Sequence, residues 1–415
     1  MKKKWFVALG IILAAVLAIT IVGPYLVLAA VRQPEPAGEY AYSQAFYTTY
    51  EQTREGLKDL YKRLRQQEAL VVMNSHAIDP EEGLYIDKIY IPASEKMTNL
   101  VLLTTGVHGV EGYIGAAMLE VFFQEVYPTL DKKTTGVMVI ANVNPYGMKY
   151  YRRYNENNVD LNRNFILDWD TFDLSSNKEY PEVQSFLEPK GKIQNALWHE
   201  LSFYLRLGAT AVVHGADTVS DALLTGQYES AKGVYYGGTK DEASTAYLKE
   251  VFEQALNSAY QNVVHIDIHS GYGPRYNMVI FNSVYETMTE AETKAAFGYD
   301  YVISHDSEAF YATTGDTTDF FYRLAEQKGS KKGLFSTCFE FGTVGDEFFD
   351  TILSLKYTVD ENQQHWYPSR SKVVAEVVHE NYMELFYPTE KAWREKAVED
   401  FVAAASGVLG AKLQS

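Results

Sequence analysis

The sequence predicts an α/β fold, with a mostly parallel or mixed central sheet covered by helices on both faces, preceded by an N-terminal transmembrane helix. Three observations carry that expectation. Apolar runs of strand length recur at "NLVLLTTG", "TGVMVIA" and "NVVHIDI", and each leads into a turn, as strands buried on both faces do. Segments of helical spacing lie between such runs, with "YIGAAMLEVFFQEVY" following the first. The chain also opens with an uncharged stretch, residues 5–30, directly behind Lys2, Lys3 and Lys4.

Residues 1–31 are expected to form a membrane anchor or signal segment. The uncharged stretch is longer than the ~7–15 residues of a signal-peptide core and long enough as helix to cross ~30 Å of hydrocarbon. The three lysines should stay cytoplasmic, which places the body on the extracytoplasmic side of the cell membrane. The alternative is a secreted body, since "LVLAAVRQ" offers small residues near a cleavage point. "RQPEPAGEYAYS" begins a linker at 32–45, and 46–390 form the main domain. Within it, 50–70 reads as an amphipathic helix and "GLYIDKIYIPA" as an alternating strand. Residues 168–256 read as a long, irregular elaboration of the core with a helix around 193–207. "STCFEFGT" is a short fourth buried strand, and 391–415 a C-terminal helical tail.

Composition narrows the function. Of 415 residues, 47% are hydrophobic and 22% charged, ordinary for a globular chain with a substantial core. The net charge is −17, and the three N-terminal lysines leave the body more acidic still. Such a surface repels phosphate backbones, which argues against nucleic acid as a partner. Cys338 is the single cysteine, so neither an internal disulfide nor a cysteine zinc cluster is available.

The polar residues cluster just beyond the apolar strands, where ligands bind in open α/β sheets. His108 and Glu111 follow the first strand, three apart among glycines; such a pair converges on one ion if the chain turns helically. A third ligand is expected from "VVHIDIHSGYG". With a two-residue period His265, Asp267 and His269 share a face. His269 lies last and is the better ligand, Asp267 is placed to orient an imidazole or support the ligand shell, and His265 reads as a satisfied core or surface histidine. In "NPYGMKYYRRYNENNVDLNRNF", Arg152, Arg153 and Arg163 stand among asparagines in an otherwise acidic chain, a composition suited to binding carboxylates or an oxyanion. No Gly-x-Ser-x-Gly elbow is present, which disfavours a serine hydrolase.

Taken in order, the His-x-x-Glu pair, "NPYG", "RRYNENNVDLNRNF", "DIHSGYG" and "FEFGT" resemble the M14-type zinc carboxypeptidases. "GQYESAKGVYYGG" further resembles their DUF2817 branch, which has relatives similar to succinylglutamate desuccinylase and aspartoacylase. The resemblance implies a zinc carboxypeptidase-like fold and one Zn²⁺ per chain held by His108, Glu111 and His269. It implies Glu340 as the catalytic acid and base, and Arg152 or Arg153 as the group that polarises the scissile carbonyl. It implies Asn162 and Arg163 as the clamp on the substrate's carboxylate, and Tyr311 as a residue that closes over substrate. Two features depart from the pattern. Glu111 and His269 are 158 positions apart, and "GDTTD" brings Asp316 and Asp319 where a Gly-Ser-like pocket segment is expected.

The expectation is a zinc-dependent hydrolase that cleaves an amide bond next to a free carboxylate, as a metallocarboxypeptidase of peptides or cell-wall peptides. A zinc deacylase of small N-acyl amino acids is the alternative. An inactive binding protein on the same fold is a further one.

Overall fold

The computed structural model describes residues 2–32, 40–307 and 313–413. Eight strands form one mixed sheet: β1 (Val72–Asp79), β2 (Leu84–Ile91), β3 (Asn99–Thr105), β4 (Thr135–Ala141), β5 (Asn262–Gly271), β6 (Met278–Asn282), β7 (Val302–Ile303) and β8 (Gly333–Gly342). Their spatial order is β1-β2-β4-β3-β5-β8-β6-β7. The central strands β4, β3, β5 and β8 run parallel, while β2 and β6 join antiparallel at either side. The four parallel carboxyl ends therefore open on one edge.

The helices are α1 (Lys2–Val31), α2 (Tyr50–Gln67), α3 (Gly112–Val121), α4 (Pro145–Lys149), α5 (Tyr180–Leu187), α6 (Ala196–His214) and α7 (Ala216–Leu224). They continue with α8 (Ala243–Asn257), α9 (Glu290–Phe297), α10 (Thr317–Gln327), α11 (Phe348–Trp366), α12 (Lys372–Phe386) and α13 (Lys391–Lys412).

Strand alternation sorts the core into two layers. Val101 and Leu103 of β3 pack with α2, α3 and α13 on one face. Leu100 and Leu102 pack with α8 and α10 on the other. Every residue of β3, β4 and β5 is buried, as an apolar run covered on both faces requires.

Four expectations need correction. Residues 168–256 are largely helical, because α5, α6 and α7 bury Val183, Phe203 and Ala222 with Leu355 and Val359 of α11 in a small core of their own. Residues 391–412 are one helix, but not a tail. Trp393, Ala397, Phe401, Ala404 and Val408 recur at helical spacing and enter the main core. The Trp393 Nε1–H also donates to the carbonyl of Gly342 at 2.8 Å, tying α13 to the end of β8. The "STCFEFGT" strand is the end of a ten-residue strand, β8. β1, β6 and β7 were not foreseen; β1 is a mostly exposed edge strand without the apolar pattern that marks a buried one.

Of the expected linker, 33–39 lie outside the described residues. α1 is long and apolar enough over Leu13–Val31 to cross a membrane by length and composition. Its last turns pack on the body, where Leu28 is buried with Ile193, Ala196 and Val374.

Candidate metal centre and its cavity

Gly106 ends β3 at φ +74°, in the left-handed region that glycine adopts without strain, and turns the chain toward α3. In the turn that follows, a Cβ on Gly109 would lie 2.2 Å from the carbonyl carbon of Gly147, so the His108–Glu111 turn rests directly on the "NPYG" turn. The N–H groups of Gly109 and Val110 donate to the carbonyls of Arg153 (3.2 Å) and Arg152 (2.9 Å). The first candidate ligand pair and the arginine segment are thus one hydrogen-bonded unit.

His269, near the carboxyl end of β5, meets that turn. Ligand atoms of His108, Glu111 and His269 lie within 4.8 Å of one another, and all three residues are buried. Nδ1 of His108 and Nδ1 of His269 face each other at 3.1 Å. They lie 2.9 and 3.0 Å from Oε1 and Oε2 of Glu111 respectively. Each imidazole is already committed on its far side: His108 Nε2–H donates to Asp160 Oδ1 (3.0 Å) and His269 Nε2–H to Asp267 Oδ2 (2.9 Å). With both Nε2 atoms protonated, neutral imidazoles turn their Nδ1 lone pairs inward, toward a carboxylate and each other. Lone pairs converging in a buried space call for a cation, and two nitrogens with one carboxylate suit zinc. The carboxylates behind the histidines are the partners that orient metal-bound imidazoles. The residues present therefore fit the ion.

The electrostatics show how strongly the site draws positive charge. Burial pushes the Glu111 carboxyl up, but His108 and His269 outweigh it and hold it well below the usual range. Asp160 is likewise held low against burial by Arg153 and His108, and Asp267 by His269. Burial lowers the His269 imidazole, yet Asp267 and Glu111 hold it well above its ordinary value, so the site draws a proton to His269 where it would otherwise hold a cation. Asp267 is itself fixed by the Thr104 and Thr317 hydroxyls, each at 2.5 Å. His265 lies deeper, between Thr104 Oγ1 (2.9 Å) and Ser336 Oγ (2.8 Å), and burial pushes it down to about 4, as befits a core histidine.

A cavity of about 550 Å³ opens beside these residues, a size that holds a small ligand. Glu340 lines it from β8, whose register sets it directly beside His269. The Tyr272 N–H donates to Glu340 Oε1 at 3.1 Å. Burial, then the charge of Glu111, pushes the Glu340 carboxyl up to about 7.

The two adjacent arginines part company. Arg153 lines the cavity, donating from Nε to Asp160 Oδ2 (2.7 Å) and from Nη1 to Glu111 Oε1 (3.4 Å). Arg152 turns away and is buried against Glu361, Asn158 and Asn362, with its Nε 2.7 Å from Glu361. Held there against α11, it does not line the cavity, and its place is structural. Asn162 and Arg163 also line the cavity. Asn162 Oδ1 accepts from the Thr317 N–H (3.0 Å). Arg163 is buried, its Nη1 donates to the Asn162 carbonyl (3.0 Å), and its Nε has no hydrogen-bond partner among the described residues. Tyr311 lies outside the described residues.

The elaboration supplies what sequence reasoning missed. The ring of Tyr235 stands 5.5 Å from the Arg153 guanidinium and 5.8 Å from that of Arg163, within cation–π range of both. Its φ of +55° is unusual for a tyrosine. The Tyr228 hydroxyl donates to the Arg163 carbonyl (2.8 Å), and the Asp160 N–H to the Tyr236 carbonyl (2.7 Å). A Cβ on Gly226 would come within 2.6 Å of Arg163 Cδ, so the segment closes directly over that side chain. The clue was the density of tyrosine and glycine in "GQYESAKGVYYGG", which has no chemistry of its own until it is seen against the arginines.

No curated protein matches this chain. Among solved structures, it is similar to the carboxypeptidase A of Helicoverpa armigera, at 15% identity and a TM-score of 0.44, over 91% of this chain and 80% of that one. It is similar to a metallo-carboxypeptidase of Pseudomonas aeruginosa, at 11% identity and a TM-score of 0.41, over 87% and 70%. It is also similar to the succinylglutamate desuccinylase of Chromobacterium violaceum, at 13% and 0.33, over 76% and 72%. These likenesses are remote, and the roles of this chain's residues rest on the geometry above. The sequence itself is decisive about kinship: the model of the family described as "Protein of unknown function (DUF2817)" matches residues 46–400, and the chain belongs to that family.

Proposed function

We propose that this chain is a zinc-dependent hydrolase that cleaves an amide bond next to a free carboxylate, as a carboxypeptidase of peptides or cell-wall peptides outside the cytoplasmic membrane, tethered by α1. One observation carries the reading: a buried His-Glu-His set shares its cavity with an arginine whose Nε has no acceptor among the described residues.

In this reading His108 Nδ1, His269 Nδ1 and Glu111 hold the ion, and Asp160 and Asp267 fix the two imidazoles. Bound zinc supplies Lewis acidity to a carbonyl oxygen and to water. Glu340 takes a proton from water on a carboxylate oxygen and delivers it to the departing amine nitrogen. A carboxyl pushed toward neutrality by burial suits both halves of that transfer. Arg153 stands beside the ligand set as a fixed positive charge for a developing oxyanion. Arg163 and Asn162 hold the substrate's carboxylate and align the bond to be cut.

The test is hydrolysis of paired substrates by the full chain with zinc, one member ending in a free carboxylate and the other amidated. A charge-assisted hydrogen bond is worth ~1.5–3 kcal/mol, so amidation should slow cleavage roughly 10–150-fold. Equal rates on both members would remove the carboxylate clamp and leave an amidase that recognises another group. Cleavage confined to small N-acyl amino acids would favour a deacylase.

A further inference from the structure

Helix α6 carries an apolar face that, past its start, none of the described residues covers. Trp198, Leu201, Tyr204, Leu205, Val212 and Val213 are all exposed, Leu205 at 76% and Val212 at 88%. Trp198, Leu201, Leu205 and Val212, with Gly208 between the last two, follow one another at three- and four-residue steps and form one stripe along the helix. The stripe contains no charge. His199 and Glu200 turn inward to Asp360 (2.6 Å) and Lys356 (2.7 Å) of α11. Arg206, the one charged residue over 201–213, lies against the ring of Phe186.

The start of this face is joined to α1. The Asn195 Nδ2–H donates to the Thr20 carbonyl (2.8 Å), and the Trp198 Nε1–H to Thr20 Oγ1 (3.1 Å). A Cβ on Gly23 would meet Leu197 Cδ2 at 2.5 Å, so the two helices touch closely. This contact has a depth. If Trp5, just past the lysines, marks the inner edge of the hydrocarbon, Thr20 lies about 22 Å along the helix. A hydrocarbon layer of ~30 Å then ends about 7 Å beyond Thr20. Helices that lie in the plane of a membrane sink roughly 5–10 Å below its surface.

We propose that α6 is a second, in-plane membrane contact: its apolar stripe lies in the outer leaflet beside α1 and holds the body flat against the lipid. The occupant is the bilayer because the stripe continues an apolar transmembrane helix, lacks charge and carries Trp198 and Tyr204, residue types that favour the membrane–water boundary. Since α6 packs on α11, whose Thr351, Ser354, Leu355 and Thr358 line the cavity, the site is thereby held at a set height near the membrane. The inference rests on the reading of α1 as a membrane anchor.

The experiment uses the full chain in phospholipid vesicles, with Leu205→Cys or Val212→Cys carrying an environment-sensitive fluorophore. Both sites are exposed, and unsubstituted protein controls for labelling of Cys338. The same label at Lys331→Cys, in an exposed, lysine-rich turn before β8, reports the aqueous phase. Flotation of the vesicles after alkaline extraction is scored first, and it tests α1 alone. Labels at 205 and 212 should lose emission to nitroxide-bearing lipid and resist iodide, with the reverse at 331. Quenching by iodide in floated vesicles overturns the α6 contact and leaves the anchor standing. Resistance to both quenchers assigns the stripe to a second copy of the chain and also overturns it. Failure to float removes the anchor and α6 contact together.

Discussion

The two ends of the cavity use the same residue types to opposite effect. At the inner end every carboxylate has a partner. Glu111 faces two imidazoles, Asp160 holds His108 and Arg153, and Asp267 holds His269 and two hydroxyls. All three carboxyls are held low in spite of full burial. Toward the outer end, starting at Glu340 beside His269, the carboxyls of Glu340, Asp316 and Asp319 accept hydrogen bonds but are pushed up by burial, and among the described residues none is in an ion pair. Arg163 likewise has an unused Nε. On the proposed reading the inner end is complete once a cation is supplied, whereas the outer end is left for a substrate to complete. A metal site and an open substrate site would differ in this way because buried charge without an opposite charge is costly unless a ligand supplies one.

The largest break in the comparison is at the inner end. His269→Ala should abolish stoichiometric zinc binding by purified full-length protein, read by metal analysis. Asp267→Asn keeps the ligand and weakens its orientation, so zinc affinity should fall roughly 10–100-fold. Stoichiometric zinc retained in His269→Ala would dismiss this ligand set. Glu340→Gln tests the other end. Its shape is conserved and the proton acceptor is lost, so kcat should fall roughly 10²–10⁴-fold with zinc still bound. Near-normal kcat would take Glu340 out of the chemistry.

A smaller effect is expected at Arg163. Arg163→Ala should cost roughly 10–150-fold on a free-carboxylate substrate and almost nothing further on the amidated one, since both changes delete one interaction. Gly226→Ala sharpens the point. It introduces a methyl within 2.6 Å of Arg163 Cδ at φ +74°, and should move the guanidinium without removing it. A loss between wild type and Arg163→Ala, with zinc content unchanged, would show that the elaboration positions the arginine.

How much of this was legible depends on what each residue answers to. The parallel strands were readable because burial on both faces leaves continuous apolar runs, as in "NLVLLTT". His108, Glu111 and His269, which the structure brings with Glu340 to one cavity, were readable as candidates because each follows or ends such a run, and Glu340 through the family resemblance. The choice between Arg152 and Arg153 was not. The two are adjacent and chemically identical, and only Glu361, distant in sequence, decides which one faces the cavity. Tyr235 was hidden for the same reason: its partners, Arg153 and Arg163, come from another part of the chain. The place of α13 depended on a packing partner, the ends of β8 and α9, that no local pattern announces.

The smallest expected effect tests whether the outer end is under-partnered without any substrate. Asp319 sits in the first turn of α10, where its carboxylate accepts the Ser283 hydroxyl (2.5 Å) and the Val284 N–H (3.2 Å). Burial, with Asp316 beside it, nevertheless pushes it up to about 7. A carboxyl raised in the folded state binds its proton more tightly there than in the unfolded chain, where it titrates near ~3.9. Its contribution to stability is therefore fully present below about pH 4 and is lost as pH rises through about 7. Asp319→Asn keeps the acceptor oxygen and cannot ionise. The variant should match wild type near pH 4 and exceed it at pH 8 by roughly 1–2 kcal/mol, the full shift being discounted for partial exposure. In thermal unfolding that is a Tm higher by roughly 1–4 °C. Comparing the two proteins at each pH cancels the titration of the metal site, which they share. If wild type is instead the more stable at pH 8, Asp319 is satisfied as a carboxylate, and the contrast between the two ends narrows to Glu340 and Arg163.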